Sequence, residues 1–304
     1  MEFLPLTLES KTTIDGFLRD ENFLISDIVF GNLFIWKDAR EITYALCHDT
    51  LIIKTTYPHK EPYFFYPIGK GDKIQALKEI ALYAQSLQIP LCFESVQQCN
   101  IAGLKSVFGE IEITPAVEHF DYVYLVQELI NLSGRKFHKK KNHLNQFLLN
   151  YPQWQYEKIT QQNAKDIIEV ATQWFENTPN PTQGLISEHI GIKNALKVYD
   201  KLNLSGGFVH IDGKIIAFSF GEQINNEMVV IHIEKATNEI PGAYQIINQQ
   251  LLVNEFSHFV YVNREEDLGI EGLKRAKKSY NPVFMVEKFR TKIPYEIYTS
   301  KVKS

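Results

Sequence analysis

The stretch GGFVHIDGKIIAFSFGEQINNEMVVIHIEKATNEIPGAYQ, residues 206–245, decides the fold class of this 304-residue chain. Asp212-Gly213 is typical of a two-residue hairpin turn, and Asn225-Asn226 marks a second turn. A helix is expected from Pro241 to about residue 256, because proline is favoured in the first turn of a helix. Runs of β-branched and aromatic residues on either side of the turns predict strands at 206–211, 214–222 and 227–235. The stretch therefore predicts an antiparallel sheet followed by a helix.

A similar order of elements occurs in the first half of the chain. Apolar residues at helical spacing predict a helix at 72–88, and further helices and strands follow it. The strands expected before this helix are FGNLFIW (30–36), ITYALC (42–47), TLIIKT (50–55) and PYFFYPI (62–68). The elements expected after it are a strand at 91–95, a helix at about 97–107, and strand-like runs at IEIT (111–114) and YVYLV (122–126).

The second half continues in the same way around the opening stretch. Its other expected elements are a strand at 154–159, helices at 162–177 and 187–203, a strand at 258–262, a charged helix at 268–279 and a strand at 283–289. The fold class is therefore α+β, with one pattern used twice, and 304 residues suit two domains of about 150 residues each. We expect an N-terminal domain at 1–132 and a C-terminal domain at 133–304, with a helix at about 133–150 as the joint.

Composition restricts the classes of function. The formal net charge is −4 and the pI is about 6.2, so any contact with a polyanion must come from a local basic patch. The three cysteines and the histidines show no zinc-binding spacing, and we expect no metal. There is no phosphate-binding loop, serine-hydrolase motif or dinucleotide fingerprint. With no run of about 18 apolar residues and no secretory signal pattern, we expect a soluble cytoplasmic protein.

Residues 133–151, SGRKFHKKKNHLNQFLLNY, form the one local basic segment of note. On a helix, an apolar stripe of Phe137, Leu144 and Leu148 has Lys140 and Lys141 on its flanks. The opposite face carries the cations Arg135, Lys136, Lys139 and His143. That face is either an ordinary solvated surface or a contact for a polyanion.

The opening stretch ends at a second candidate site. A strand ends near Glu234, and a helix begins at Pro241-Gly242. Free N–H groups at the N-terminus of a helix attract anions, and glycine allows a phosphate to approach the backbone. An ordinary helix start explains the same residues about as well.

The third candidate site is VNREEDLGIEGLKRAKKSYNP, residues 262–282. Alternation along the strand puts Asn263 and Glu265 on one face, and Asp267 can cap the helix that follows. Lys277 and Tyr280 fall on the apolar side of that helix. A lysine there needs a carboxylate or a cavity, so we expect either a structural ion pair with Glu265 or Glu266, or a functional cleft.

Taken together, the segments 132–147, 215–250 and 261–284 resemble soluble bacterial relatives of the C-terminal, catalytic domain of phosphatidylglycerol lysyltransferases. The motifs that carry the resemblance are Gly-Ala-Tyr-Gln (242–245), Asn-Arg-Glu-Glu-Asp (263–267) and Ser-Tyr-Asn-Pro (279–282). The resemblance covers roughly residues 30–290. It implies two tandem GNAT-like (acyl-CoA N-acyltransferase) domains, with the acyl donor in a gap between two neighbouring strands.

In this fold, the pyrophosphate of a coenzyme A donor lies at the start of the helix after the fourth strand, here residues 241–245. The residues that would then contact the cofactor are Lys235, Ala236, Gly242, Ala243, Tyr244, Gln245 and Asn263. The first domain has only the glycines of GKGDK (69–73) at the corresponding place, so we expect it to be degenerate.

Transfer of an acyl or aminoacyl group to an amine or hydroxyl requires a base, donors to the carbonyl oxygen and an acid for the leaving group. We expect the base to be Glu234, Glu265 or Asp267, with backbone N–H groups around 234–236 polarising the carbonyl. The acid is Tyr280 or Lys277. The donor is acyl-coenzyme A or aminoacyl-tRNA, and the acceptor is a small molecule or a lipid headgroup. The alternative is a non-catalytic ligand-binding or regulatory module that retains the fold.

Overall fold

The computed structural model describes residues 1–19 and 21–301, and the chain forms two compact units. Unit 1 comprises residues 1–120 and the chain from Val286 onward, and unit 2 comprises residues 121–285. Each unit contains one seven-stranded sheet with flanking helices, which confirms the expected α+β class. Among the described helices, none has both the length and the apolar character that crossing a membrane requires.

The regular elements are numbered in chain order. The strands are β1 (Leu4–Pro5), β2 (Glu41–Cys47), β3 (Thr50–Thr56), β4 (Tyr63–Phe64), β5 (Leu91–Val96), β6 (Thr114–Pro115), β7 (Asp121–Leu125), β8 (Trp154–Lys158), β9 (Ser205–Ile211), β10 (Lys214–Gln223), β11 (Met228–Ala236), β12 (Tyr261–Asn263), β13 (Phe284–Val286) and β14 (Phe289–Ile293). The helices are α1 (Lys11–Leu18), α2 (Phe30–Trp36), α3 (Lys73–Ser86), α4 (Ile101–Phe108), α5 (Val126–Asn131), α6 (His138–Asn150), α7 (Ala164–Glu176), α8 (Gln183–Lys197), α9 (Tyr199–Leu202), α10 (Ala243–Glu255), α11 (Glu271–Lys278) and α12 (Tyr295–Lys301).

The two sheets have the same plan. In unit 1 the strand order is β1-β2-β3-β4-β5-β14-β6, and β4 and β5 run parallel. In unit 2 the order is β13-β7-β12-β11-β10-β9-β8, and β11 and β12 run parallel. One parallel pair in an otherwise mainly antiparallel sheet, repeated in both units, matches the tandem GNAT-like arrangement that the resemblance implied.

The core of unit 2 explains the apolar opening stretch. In β10 every residue from Ile215 to Glu222 is buried, because helices cover both faces of the sheet. α10 packs on one face through Ile247 and Leu251. On the other face the ring of Trp174 from α7 stacks on Phe218 at 5.8 Å. β10 is therefore buried on both faces, next to β11 at the centre of the strand order.

The units do not follow the expected boundary at residues 132/133. β7 (121–125) lies in the sheet of unit 2, between β12 and β13, and β14 (289–293) lies in the sheet of unit 1, between β5 and β6. Under the expected division, residues 121–125 belong to the N-terminal domain and residues 289–293 to the C-terminal domain. Each of these two strands therefore lies in the sheet of the other unit. The expected joining helix, α6, lies within unit 2.

Several local expectations need correction. Residues 30–36 form α2 and not a strand, because a short apolar run buried on all sides has no periodicity to separate the two. Of IEIT, only Thr114 lies in a strand. The helix expected at 187–203 is two helices, α8 and α9. α10 begins at Ala243 and not at Pro241.

Candidate active site

A gap opens in the sheet of unit 2 where β11 and β12 separate. The two strands pair only between residues 228–230 and 261–263. Beyond these residues, β12 ends while β11 continues to Ala236. We call the gap between residues 231–236 and residues 264–267 the cleft. It lies next to the central strand, and both of its edges carry charged side chains.

One ion pair in the cleft joins the two edges. Nη2 of Arg264 donates to Oε1 of Glu234 at 2.8 Å, and Nδ2 of Asn248 donates to Oε2 at 2.9 Å. The two charged side chains are only 12% and 13% exposed. Both carboxylate oxygens of Glu234, one of the expected bases, therefore already accept a hydrogen bond.

Aromatic rings and a second cation surround Arg264. Its guanidinium lies 4.8 Å from the ring centre of Tyr280 and 5.7 Å from that of Tyr124. Nζ of Lys140, from α6, lies 4.1 Å from the Tyr280 ring centre. Burial and the Arg264 charge lower the pKa of Lys140, and burial raises the pKa of Tyr280 to about 12. Tyr280, which Gln245 hydrogen-bonds, is thus a neutral phenol between two cations.

A buried glutamate–histidine cluster of Glu222, His232 and Glu265 lies at the same cleft. Nδ1 of His232 is 2.8 Å from Oε1 of Glu265, and Nε2 is 2.9 Å from Oε1 of Glu222. Burial lowers the pKa of His232, but the hydrogen bonds and charges of both carboxylates outweigh it and raise the pKa to about 9. The ring is therefore an imidazolium that donates from both nitrogens.

A β-bulge places His232 in this cluster. Phe220 of β10 pairs with Ile233 and Gly221 pairs with Ile231, so His232 is an extra residue without a partner in the ladder. Such a bulge redirects a side chain and is common near functional sites. Within the cluster the side chain of Glu265 is 17% exposed, compared with 2% for His232 and 9% for Glu222. Glu265 is therefore the most exposed member of the cluster.

The segment after β12 is held by several side chains that the sequence had assigned to the site. Nζ of Lys277 donates to the backbone oxygens of Arg264 and Glu265. Burial and the Arg264 charge lower the pKa of Lys277, and the charges of Glu265 and Glu266, its expected partners, act in the opposite direction. Asn263 donates to Asp121 at 2.9 Å and accepts from the backbone N–H of Glu265 at 2.7 Å.

Asp267 is buried next to this segment and does not cap α11. Its carboxylate accepts from the hydroxyl of Tyr122 at 2.6 Å and from the N–H of Gly269 at 2.8 Å. The helix begins later than expected, at Glu271, with Ile270 at the N-cap position. Asp267 therefore stabilises the turn between the cleft and α11.

The start of α10 does not provide the glycine cradle expected for a pyrophosphate. Gly242 has a φ of 90°, and a Cβ there would lie 2.7 Å from Cβ of Phe147 and 2.8 Å from the carbonyl oxygen of His143. The N–H of Ala243 donates to Ile240. Close packing on α6 therefore explains Gly242, and this side of the helix start does not fit a coenzyme A phosphate.

A cavity of about 570 Å³ lies between α7, α8 and the end of β11, and its size suits a small ligand. Lys235, Ala236 and Tyr244, three of the residues expected to contact a cofactor, line it. Nζ of Lys235 lies 2.5 Å from Oε1 of Glu188, which is also in the lining. The aromatic walls with one ion pair suit a ligand that has both apolar and polar parts.

The basic segment is divided between surface and site. Arg135, Lys136, Lys139 and His143 are all exposed, and Lys136 donates to both oxygens of Glu128 at 2.7 Å. Of the two flanking lysines, Lys141 is exposed, and Lys140 enters the cleft. Within the described part of the chain, no group of three or more His, Cys, Asp or Glu side chains is arranged to hold a metal ion.

Sequence reasoning missed several residues of the cleft. These are Tyr124, Glu222, His232, Asn248 and Arg264, with Lys140 noted only as a flanking residue. His232 carried one usable signal, since it interrupts the apolar run MVVIHIE of a central strand. The bulge that turns it toward Glu222 and Glu265 has no such local signal.

Comparison with known proteins extends these observations. The family model described as "Phosphatidylglycerol lysyltransferase, C-terminal" matches residues 23–292. A conserved protein of unknown function from Bacteroides thetaiotaomicron is 33% identical, with a TM-score of 0.91 over 96% of this chain and 99% of the other. L-PGS from Bacillus licheniformis is 12% identical, with a TM-score of 0.66 over 92% and 91% of the two chains, and shows the same fold.

A curated relative, an uncharacterized protein of Mycoplasmoides gallisepticum, is 23% identical over 176 residues. The match covers 57% of this chain and 56% of the relative, so it spans only about half of that protein.

Proposed function

The chain belongs to the phosphatidylglycerol lysyltransferase C-terminal family, and from this premise we propose that it is an acyl- or aminoacyl-transferase whose transfer site is the cleft of unit 2. One observation carries the proposal. β11 and β12 separate beside the central strand, and the gap between them is edged by Arg264, Glu234, Glu265 and a bulge at His232. An extended acyl group can lie along the unpaired edge of β11, with groups for proton transfer within reach.

Glu265 is the proposed base. It removes a proton from the amine or hydroxyl of the acceptor as the nucleophile attacks the donor carbonyl. Glu265 is preferred because its side chain is more exposed than Glu234, whose two oxygens are both hydrogen-bonded. Asp267 accepts a hydrogen bond from Tyr122 and stabilises the turn before α11. His232 keeps the Glu265 carboxylate in position.

Tyr280 is the proposed acid, and backbone N–H groups around 234–236 are the proposed donors to the carbonyl oxygen. A phenol whose pKa is raised to about 12 retains its proton at neutral pH and can give it to the leaving oxygen or sulfur. Lys277, bound to two carbonyl oxygens, has instead the role of fixing the segment that carries Glu265.

Aminoacyl-tRNA is the preferred donor, with acyl-coenzyme A as the alternative. The close packing of Gly242 on α6 argues against a pyrophosphate at that helix start. The exposed cations Arg135, Lys139 and His143 can contact phosphates, either of tRNA or of an anionic acceptor such as a lipid headgroup.

Gel retardation with bulk tRNA tests the donor assignment. We expect replacement of Arg135, Lys139 and His143 by alanine to weaken retardation about tenfold or more at low salt, because each phosphate contact releases counterions. The matched control replaces three exposed lysines of α7–α9, Lys165, Lys197 and Lys201, and should leave retardation unchanged. Equal retardation of both triple variants would exclude this face as the tRNA contact. Stabilisation by coenzyme A in thermal shift, with no retardation, would favour the alternative donor.

We also propose that unit 1 has no transfer activity. Beside the corresponding parallel pair, β4–β5, one cavity is only about 20 Å³, whereas a larger one of about 570 Å³ lies away from this pair, at Gly69 and Gly71. Phe23, Ile25 and Ile28 line the smaller cavity, so the chain itself fills the space beside Ser95. A ligand that stabilises unit 2 without forming a product would support the alternative of a binding module for the whole chain.

A further inference from the structure

The cavity of about 570 Å³ between α7, α8 and the end of β11 adjoins the cleft. Lys235 and Ala236 line this cavity and also belong to the β11 edge of the cleft. The backbone N–H groups around 234–236 are the proposed donors to the carbonyl oxygen of the acyl donor. A ligand in the cavity would therefore lie next to the reacting carbonyl group.

The cavity and the glutamate–histidine cluster lie on the same face of the sheet. Phe218 and Glu222 of β10 are four residues apart, so their side chains share a face. Lys235 is the ladder partner of Phe218, and the ring of Trp174 from α7 stacks on Phe218. The face that α7 covers thus carries both the cavity and the cluster that contains Glu265, the proposed base.

The charged side chains in the cavity lining balance one another. The lining contains two glutamates, Glu188 and Glu239, and two lysines, Lys214 and Lys235. Burial lowers the pKa of His189, which also lines the cavity, so this ring is neutral at neutral pH. A lining without net charge favours a ligand without net charge over a phosphate or a polycation.

The ion pair of Glu188 with Lys235 specifies the polar part of the ligand. The two side chains are 21% and 30% exposed, and neither has another hydrogen-bond or ion-pair partner among the described residues. A ligand with a single charge would leave one member of this pair without a partner, which costs free energy in a partly buried site. A ligand with adjacent ammonium and carboxylate groups can bind both members, the ammonium at Glu188 and the carboxylate at Lys235.

Aromatic rings specify the apolar part of the ligand. The rings of Trp174 and Phe218 stack with 14° between their planes, and the rings of Phe175 and His189 stack at 4.4 Å. All four side chains, together with Tyr244, line the cavity. Flat apolar walls of this kind stabilise a large apolar side chain that is removed from water.

We propose that this cavity binds a free α-amino acid with an aromatic or large aliphatic side chain, and that this amino acid is the acceptor of the acyl group. The inference names the acceptor of the proposed transfer, and in this respect it rests on the proposed function. Neither a lipid headgroup nor a polyamine fits as well. The phosphate of a headgroup would be repelled by Glu188, and a polyamine would be repelled by Lys235.

The transfer then proceeds from the bound amino acid. Its ammonium group gives one proton to Glu188 and becomes a neutral amine. The amine nitrogen forms a bond to the carbonyl carbon of the donor, and Glu265 takes the second proton. The bond from that carbon to the oxygen of tRNA or the sulfur of coenzyme A breaks, and Tyr280 protonates the leaving atom. The product is an N-acyl or N-aminoacyl amino acid.

Isothermal titration calorimetry of the full chain tests the binding site without requiring any transfer reaction. The ligands are L-phenylalanine, L-leucine, 2-phenylethylamine, which lacks the carboxylate, and 3-phenylpropionate, which lacks the amine. We expect both amino acids to bind, and each analogue to bind about tenfold or more weakly than L-phenylalanine, because it leaves one charge of the ion pair without a partner. Absence of binding by both amino acids would overturn the proposal, as would equal affinity for 3-phenylpropionate and L-phenylalanine.

Two cavity variants identify the groups that bind the ligand. Glu188→Gln and Lys235→Met should each raise the Kd for L-phenylalanine about tenfold or more. Lys235→Met should not weaken the binding of 2-phenylethylamine, because that amine has no carboxylate for Lys235. A loss of both ligands in this variant would mean that Lys235 acts only on the structure of the cavity, which would contradict its proposed contact.

The matched controls are Lys165→Met and Glu169→Gln, which break an exposed ion pair of α7 with side chains that are 82% and 66% exposed. Both controls should bind L-phenylalanine as the wild type does, and circular dichroism checks that each variant is folded. An unchanged Kd in both cavity variants would overturn the proposal.

Mass spectrometry of the reaction mixture separates this inference from the proposed function. Wild type is incubated with L-phenylalanine and either acetyl-coenzyme A or charged tRNA, and we expect N-acylated or N-aminoacylated phenylalanine. Transfer to another acceptor, with L-phenylalanine unmodified, would contradict the amino-acid acceptor alone. Binding of L-phenylalanine with the expected effects of the variants, but no transfer from either donor to any acceptor, would contradict the proposed function.

Discussion

Glu265 is fixed more completely than its position at the end of a short strand suggests. Its φ is 58°, a left-handed conformation that is uncommon for a residue other than glycine. The backbone N–H donates to Asn263, the backbone oxygen accepts from Lys277, and the carboxylate accepts from His232. Strain of this kind persists where surrounding groups hold it and is concentrated at functional sites. The residue proposed as base is therefore positioned before a substrate arrives.

Protonation of His232 should make stability depend on pH. Its pKa is raised from 6.5 to about 9, so its contribution is complete below pH 6.5 and is lost as the pH rises through about 9. This increase in the pKa of His232 corresponds to about 3 kcal/mol in the free energy of unfolding. The difference in stability between wild type and His232→Gln should shrink by about this amount from pH 6 to 10, measured by urea denaturation. A difference that stays constant over this range would show that His232 is not held as an imidazolium.

Asn263, Glu265, Lys277 and Tyr280, which alternation and helical period grouped together, lie in one region, although Glu265 and Tyr280 lie beyond the ends of β12 and α11. The partners of these residues could not be predicted in the same way. Arg264 faces Glu234 because β12 ends at Asn263, the residue before it. The β-bulge in β11 turns the side chain of His232 toward Glu265. Both features depend on pairing between distant strands, which a local pattern does not encode.

At the scale of elements, the cleft depends on the contact between α6 and α10. α6 carries Lys140 to the Tyr280 ring, and α10 carries Asn248 to Glu234. The two helices approach closely at Gly242, where only a hydrogen atom fits against His143 and Phe147. Gly242, which the sequence suggested as a phosphate contact, thus allows the close packing of α6 on α10. That packing positions Lys140 and Asn248 at the cleft.

Substitution of this glycine tests the packing explanation. Gly242→Ala should destabilise the protein by about 2–4 kcal/mol, since the added methyl group meets α6 and the residue keeps a φ of 90°. The matched control is Gly213→Ala, which has a φ of 79° and nothing within 4 Å of the added Cβ, and should cost about 1 kcal/mol. Thermal denaturation of the two variants compares them. Similar losses would mean that backbone strain alone, and not the contact with α6, accounts for Gly242.

At the scale of the whole chain, unit 1 is formed by two separate segments, one before and one after unit 2 in the sequence. Two α+β units with mixed sheets were predictable from the repeated order of strands and helices. Their boundaries were not, because β7 carries no signal for the sheet that it joins, and β14, with Arg, Thr and Lys at its centre, lacks the apolar pattern of a buried strand. The prediction of a strand at 30–36 was wrong because α2 is buried on all sides, so its apolar residues show no helical period.

Fragments test these boundaries. Residues 121–285 contain β7 and every other strand of the unit 2 sheet up to Met285, and we expect this fragment to fold cooperatively. The expected domain 133–304 lacks β7, which lies between β12 and β13, and should be unfolded or aggregated. Circular dichroism and thermal melting of the purified fragments provide the comparison. A cooperative melt for 133–304 and none for 121–285 would contradict the observed division.

The measurement that tests the central claim most directly is transfer by wild type and by Glu265→Gln. Bulk tRNA charged with labelled amino acids, or labelled acetyl-coenzyme A, is incubated with phosphatidylglycerol vesicles or with a panel of soluble amines. We predict labelled product with wild type, a loss of about 100-fold or more with Glu265→Gln, and no change with Glu227→Gln, which alters an exposed glutamate outside the cleft. Equal product from wild type and Glu265→Gln would contradict a transfer site in the cleft of unit 2 with Glu265 as its base.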